Sequence, residues 1–242
     1  PSGDKRTWRH AHSVFSLDKL PPGRNAPAPT RAPWFIACNP KGFGWIGIEG
    51  ESVVSYPLAH PEQDHPQNRY NDGKAGPDGR YWAGSMHDGE SEASGRLYAF
   101  TPDGGVAHLD EGYVVSNGPA FSPSGRVVYH TDSAARRIYR FDLSDDGQLA
   151  NRDVFRQFSA DDGYPDGMTT DAAGNIWVAM WDGACIRQLS PRGADLARIA
   201  LPPMRPTSCA FADAQTLFVT SARVGLATPS EDDGALFRIS LR

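Results

Sequence analysis

The chain is 242 residues long, with 39% apolar residues, 25 glycines, 20 prolines and a formal net charge of −5. That composition suits many short strands joined by tight turns better than long helices. The negative balance argues against a nucleic-acid partner, since phosphate binding needs a positive field, and no apolar run is long enough to span a membrane.

In chain order, the first ten residues, PSGDKRTWRH, contain no apolar stretch of the signal-peptide kind, so no secretory signal is expected there. Residues 1–32 fit no repeat. Their run GRNAPAPTRAP (Gly23 to Pro33) is Pro-rich and would break strand pairing, so the segment reads as a linker, a disordered arm or the remnant of a first repeat. KGFGWIGIEG (Lys41 to Gly50) looks like a weak copy of a turn-plus-strand layout and is followed by ESVVSYPL.

The layout is clearest in RYNDGKAGPDGRYWAGSM, from Arg69 to Met86. Two turn clusters, Asn71-Asp72-Gly73 and Pro77-Asp78-Gly79, precede a short run whose alternation predicts a half-buried strand. It recurs as PSGRVVYHTDS from Pro123, AAGNIWVAMWDG from Ala172 and ADAQTLFVTSA from Ala212. With Gly79, Gly125, Gly174 and Gln215 as equivalent points, the steps are 46, 49 and 41 residues. A second strand follows each copy, beginning at Gly95, Arg136, Ala184 and Gly234. A period of about 40–50 residues with several strands per unit marks a β-propeller blade. The expected fold is therefore all-β, a β-propeller over residues 33–242.

Eight residues before each repeat point lie Asn71, Asn117, Asp166 and Thr207. Blades are related by rotation, so equivalent positions share one height and one radius and converge on the channel mouth. A ring of amide and carboxylate oxygens suits a hard cation. Asn and Asp also serve turns for local reasons, but recurrence at one offset favours a site. Asp72 and Lys74 fall off the repeated position and read as turn residues.

These stretches, with VSNGPAFSPSGRVVYHTDSAARRIYRFD, GYPDGMTTDAAGNIWVAMWDG and PTSCAFADAQTLFVTSAR, resemble the gluconolactonase/regucalcin-like (senescence marker protein) family from Arg69 to the C-terminus. The resemblance implies a six-bladed propeller that holds one divalent cation in its axial channel and hydrolyses sugar lactones. Ca²⁺ is the first expectation, with Zn²⁺, Mn²⁺, Mg²⁺ and Fe²⁺ as alternatives. It maps metal ligation onto Asn117 and Asp166, substrate contact onto Arg69 and Asn71, and the general base onto Asp166. Asn71 would reach the metal site directly or through water. One departure stands out. The family's remaining ligand is a glutamate in a Gly-Glu-Gly-Pro type context near the start of the first blade. No such segment occurs, and Glu49 and Glu51 lie in the wrong layout. The resemblance then implies an N-terminally incomplete member, with an incomplete first blade, a scrambled segment between His10 and Pro33 and weak ion binding. A non-catalytic calcium-binding propeller and a protein-interaction scaffold remain as alternatives.

Three widely spaced cysteines, Cys38, Cys185 and Cys209, fit buried thiols in a reducing compartment, so a cytoplasmic location is expected. Asp142 to Gly147 imitates the start of an EF-hand loop, but Ser144 replaces an acid and no closing Glu follows; a turn is expected. His10 and His12, and the cluster His60, Glu62, Asp64 and His65, lack recognised ligand spacing. His87, Asp88 and Glu90 read as a solvated loop that could rim the channel. His130 and the tryptophans, among them Trp82, Trp177 and Trp181, read as strand packing.

Overall fold

The computed structural model describes residues 16–19, 34–40, 42–49 and 52–241. They form five antiparallel sheets, each a meander in chain order. The first contains β1 (Ser16–Asp18), β2 (Trp34–Asn39), β3 (Gly42–Glu49) and β4 (Ser52–Ala59); the second contains β5 (Asn68–Ala75), β6 (Tyr81–His87), β7 (Gly95–Phe100) and β8 (Val106–Tyr113). The third contains β9 (Ser116–Phe121), β10 (Val127–Asp132), β11 (Arg137–Leu143) and β12 (Leu149–Gln157). The fourth contains β13 (Tyr164–Thr170), β14 (Ile176–Trp181), β15 (Cys185–Leu189) and β16 (Asp195–Ala200). The fifth has three strands, β17 (Arg205–Asp213), β18 (Thr216–Ala222) and β19 (Leu236–Ser240).

The first strands of consecutive sheets, β1, β5, β9, β13 and β17, touch one another in sequence and form the inner wall. Between each pair of sheets lies one apolar cluster. Tyr81 and Ala83 of β6 point into the cluster shared with Ile36, Phe43 and Trp45, while Trp82 points into the next, with Phe121, Val128 and Phe141. Alternate side chains of one strand thus serve opposite neighbours, as the two-residue period of a strand requires. The run from Tyr81 to Met86 is buried on both faces, not half-buried as its alternation suggested. Stacking between blades, not folding within one, supplies the core.

The repeat appears strand by strand. The four turn-plus-strand copies are β6, β10, β14 and β18, the second strand of each sheet, and the strands that follow them are β7, β11, β15 and β19. Gly79, Gly125 and Gly174 adopt φ of +76°, +70° and +82°, a left-handed turn in which glycine carries no Cβ penalty. Asp78 and Asp171 accept the indole N–H groups of Trp82 and Trp177 at 3.0–3.1 Å, which gives each buried indole its polar partner.

Three expectations change. Five sheets are present among the described residues, not the six that the family resemblance implied. The expected incomplete first blade is not confirmed: the first sheet has four strands, and Ser16–Asp18, from the segment read as a linker, a disordered arm or a first-blade remnant, is its inner one. Asp18 accepts the Ala75 N–H at 2.9 Å and Ser16 is hydrogen-bonded to the Tyr81 hydroxyl, so β1 is tied to the second sheet. Lys41 to Gly50 is not a second-strand copy but supplies β3, the third strand; the second is Trp34–Asn39. The remainder of 1–32, with His10, His12 and the Pro-rich run, lies outside the described residues, as does Glu51.

Candidate functional site

Four of the five inner strands share a defect. Pairing breaks between Tyr70 and Gly73 in β5, beside Asn117 in β9, between Pro165 and Met168 in β13, and between Pro206 and Ser208 in β17. The unpaired residues are Asn71-Asp72, Gly118-Pro119, Asp166-Gly167 and Thr207. A bulge releases a side chain from the pleat and re-aims it. The eight-residue offset read from the sequence therefore falls in the bulge of β5, β13 and β17 and just before it, at the paired Asn117, in β9.

All four offset residues, together with Arg69, line one cavity of about 700 Å³. Around its floor runs a chain of hydrogen bonds. Arg69 Nη1 donates to Asn71 Oδ1 at 2.7 Å; Asn71 Nδ2 donates to Asn117 Oδ1 at 2.8 Å and to the Ser116 carbonyl at 2.8 Å. Asn117 Nδ2 donates to Ser133 Oγ at 2.8 Å, and Ser133 Oγ donates to the Pro165 carbonyl at 2.5 Å, next to Asp166. The chain crosses three sheets. Arg69 is oriented further by Asp88, whose carboxylate accepts its Nε–H at 2.7 Å.

Asp72 and Asp166 are the charged part of this floor. Burial, and then the negative charge of Asp72, hold the Asp166 carboxyl well above the usual carboxylate range; the Gly167 N–H opposes the rise. Asp72 is also raised by burial, with the Lys74 charge and the N–H groups of Gly73 and Gly118 opposing it. Two carboxylates crowded into a walled cavity, with the Lys74 charge opposing one and no cation paired to Asp166 among the described residues, leave the site with an excess of negative charge. Asp72 and Lys74 are thus not turn residues: Asp72 lines the cavity and Lys74 Nζ donates to the Met168 carbonyl at 2.7 Å. The bulge places two successive residues out of register, so Asp72 shares the exposure to the axis that repetition marked only for Asn71.

Gly167 permits the close approach of β17. A Cβ there would lie 2.4 Å from Ser208 Oγ and 2.8 Å from the Thr207 carbonyl oxygen. Thr207 itself is hydrogen-bonded to Thr220 at 2.7 Å and offers a hydroxyl, not a charge. The upper wall is aromatic and charged: Tyr164, Trp181, Arg136, Asp182 and Glu90 also face the cavity. Of these, only Glu90 and Trp181 stood out in the sequence, and Trp181 as packing; Tyr164 opens β13, and Arg136 and Asp182 lie within repeat copies at positions to which repetition assigned no role.

The donor set is all oxygen, with two carboxylates and the amide oxygens of Asn71 and Asn117, each amide oxygen accepting one hydrogen bond and keeping a second lone pair. That chemistry and the unpaired Asp166 carboxylate fit a hard divalent cation. No group of three or more His, Cys, Asp or Glu suited to a metal occurs among the described residues. Glu62 is instead a buried structural acid, accepting from Ser85 Oγ at 2.5 Å, Tyr98 OH at 2.9 Å and Asn68 Nδ2 at 3.0 Å. Asp64 pairs with His65 at 3.0 Å. Asp142 lies in β11, one residue before its end, and Ser144 to Gly147 form a turn, as expected. The three cysteines are free and buried, and burial pushes the Cys38 thiol to about 11 and Cys209 to about 12, so neither is a ready nucleophile.

Residues 6–223 match the family described as SMP-30/Gluconolactonase/LRE-like region. A regucalcin of Oryctolagus cuniculus is 34% identical over 219 residues, 85% of this chain and 73% of that protein. A 6-deoxy-6-sulfogluconolactonase of Pseudomonas putida is 38% identical over 192 residues, 78% of this chain and 65% of that one. Among solved structures, a calcium-binding protein, regucalcin, of Agrobacterium tumefaciens superposes with a TM-score of 0.81 at 26% identity, covering 96% of this chain and 77% of that one.

Proposed function

The chain belongs to the SMP-30/gluconolactonase/LRE-like family, and from that premise we propose that it is a hydrolase that opens sugar lactones in its axial cavity with one divalent cation bound there. The observation that carries this reading is the Asp166 carboxylate, raised and without a cationic partner among the described residues, beside Asp72 and the Asn71–Asn117 pair. Similarity to a named lactonase supports the reaction class, and similarity to a calcium-binding relative supports the ion.

Asn117 and Asp166 would hold the cation, Ca²⁺ in the first instance, with Asp72 and Asn71 close by. When bound, it supplies Lewis-acid polarisation of the lactone carbonyl. Arg69, fixed in place by Asn71 and Asp88, presents its planar donors to substrate hydroxyls and sets the ring's orientation. Asp166 takes a proton from the water whose oxygen attacks the carbonyl carbon. The carbon–oxygen bond of the ring then breaks, and the same carboxyl returns the proton to the departing alkoxide. The product is a hydroxy acid. Tyr164 and Trp181 wall the cavity beside it.

A panel of aldonolactones assayed with each of Ca²⁺, Zn²⁺, Mn²⁺, Mg²⁺ and Fe²⁺ tests the proposal. Turnover that needs an added ion and stops with chelator is the expected result. Ion binding at Asp166 with no turnover of any lactone would replace the enzyme with a calcium-binding propeller.

A further inference from the structure

One basic side chain on the cavity wall has no part in that chemistry. Arg136 lies in the turn between β10 and β11 with φ of +51°. Its N–H donates to the Ser133 carbonyl at 2.9 Å, and its own carbonyl accepts the Phe158 N–H at 2.9 Å and Gln157 Nε2 at 3.1 Å. The backbone is pinned on both sides. The guanidinium carbon sits 4.1 Å from the centre of the Tyr164 ring, so the charge is held by stacking.

The same device occurs at Trp181, another residue that lines the cavity, with a difference. Arg205 stacks at 4.7 Å on Trp181 and is neutralised by Asp182 at 2.6 Å; Arg69 is neutralised by Asp88 at 2.7 Å. Arg136 has no carboxylate partner among the described residues, and its Nε is buried without any hydrogen-bond acceptor. A buried donor left unmade is costly, and a guanidinium is matched best by a carboxylate.

Resting on the lactonase reading, we propose that Arg136 seats a second, distal carboxylate of the substrate, so that the preferred lactone is that of a sugar diacid. One orientation satisfies both ends: the carboxylate on Arg136 and the lactone carbonyl at the floor beside Asp166.

The test compares wild type and Arg136→Gln, with the activating divalent ion present, on glucono-δ-lactone and on a monolactone of glucaric acid. Wild type is expected to favour the acidic lactone. The variant should lose about tenfold to a hundredfold in kcat/KM on it, mostly through KM, and stay within about twofold on the neutral one. Activity on the neutral lactone also reports that the variant is folded. Equal losses on both substrates, or no preference in wild type, would overturn the proposal. Should neither protein turn over either lactone, the hydrolase reading fails on its own. Calorimetry then still decides Arg136: glucarate should bind wild type more tightly than gluconate does, and the ratio should collapse in Arg136→Gln. An unchanged ratio would overturn it.

Discussion

Asn71 and Asn117, 46 residues apart and on neighbouring blades, are joined by one hydrogen bond of 2.8 Å from Nδ2 to Oδ1. That bond links the inner strands of two sheets at the height of the cavity floor. It also fixes which face of each amide remains for a ligand: Oδ1 of Asn71 faces Arg69, and Nδ2 of Asn117 faces Ser133.

Asn71→Ala removes the shared member of this chain. The Asn117 oxygen and the Ser116 carbonyl each lose a donor, and Arg69 loses an acceptor. Urea unfolding should show a loss of about 1–3 kcal/mol. Calorimetric affinity for the divalent ion should fall in parallel; an unchanged affinity would place Asn71 outside the site.

Asp166→Asn separates function from stability. In ion-free protein the Asp166 carboxylate is destabilised by burial and by Asp72, so the neutral amide should raise the thermal midpoint. The same substitution should abolish turnover and the stabilisation that added ion gives wild type. A variant less stable than ion-free wild type would show that the carboxylate is compensated.

His130 makes the fold sensitive to acid. Burial holds its pKa down to about 3, with the Arg152 charge adding to the effect; Nε2 meets Ser116 at 2.8 Å and Nδ1 is buried without a partner. The unfolded chain binds the proton near 6.5 and the folded chain does not, so its contribution is complete above about pH 6.5 and is lost as pH falls towards 3. Asp72 and Asp166 act with the opposite sign in ion-free protein: their raised values favour the fold at low pH and cost stability as pH rises. Comparing wild type with His130→Phe isolates the histidine. The variant's stability should vary less between pH 6.5 and 4, by up to about 1.4 kcal/mol per unit; identical slopes would rule out a neutral buried imidazole.

Gly167→Ala should destabilise by about 1–3 kcal/mol, because its Cβ would meet both Ser208 Oγ and the Thr207 carbonyl. Pairing it with Ser208→Gly should recover only part of the loss, since the backbone oxygen at 2.8 Å remains. Full recovery in the denaturation midpoint would mean that β17 can shift.

The sequence by itself determined the fold class and the axial positions. Turn-plus-strand copies at 46, 49 and 41 residues identify propeller blades, and a constant offset identifies Asn71, Asn117, Asp166 and Thr207 as equivalent under rotation. Equivalent positions meet near the axis when they lie on inner strands, and the structure places these four on β5, β9, β13 and β17 around one cavity. What repetition cannot index is anything that happens once. Asp72 was set aside because no sister blade repeats it, yet the bulge between Tyr70 and Gly73 turns it to the axis with Asn71. The first inner strand, Ser16–Asp18, was hidden for the same reason, being short and held by Ala75 and Tyr81 of the next sheet. Only the tertiary structure decided that two carboxylates share one walled space, that an amide chain crosses three sheets and that Arg136 has an aromatic support but no acid among the described residues. These depend on distances between blades and on desolvation, and no single residue encodes either.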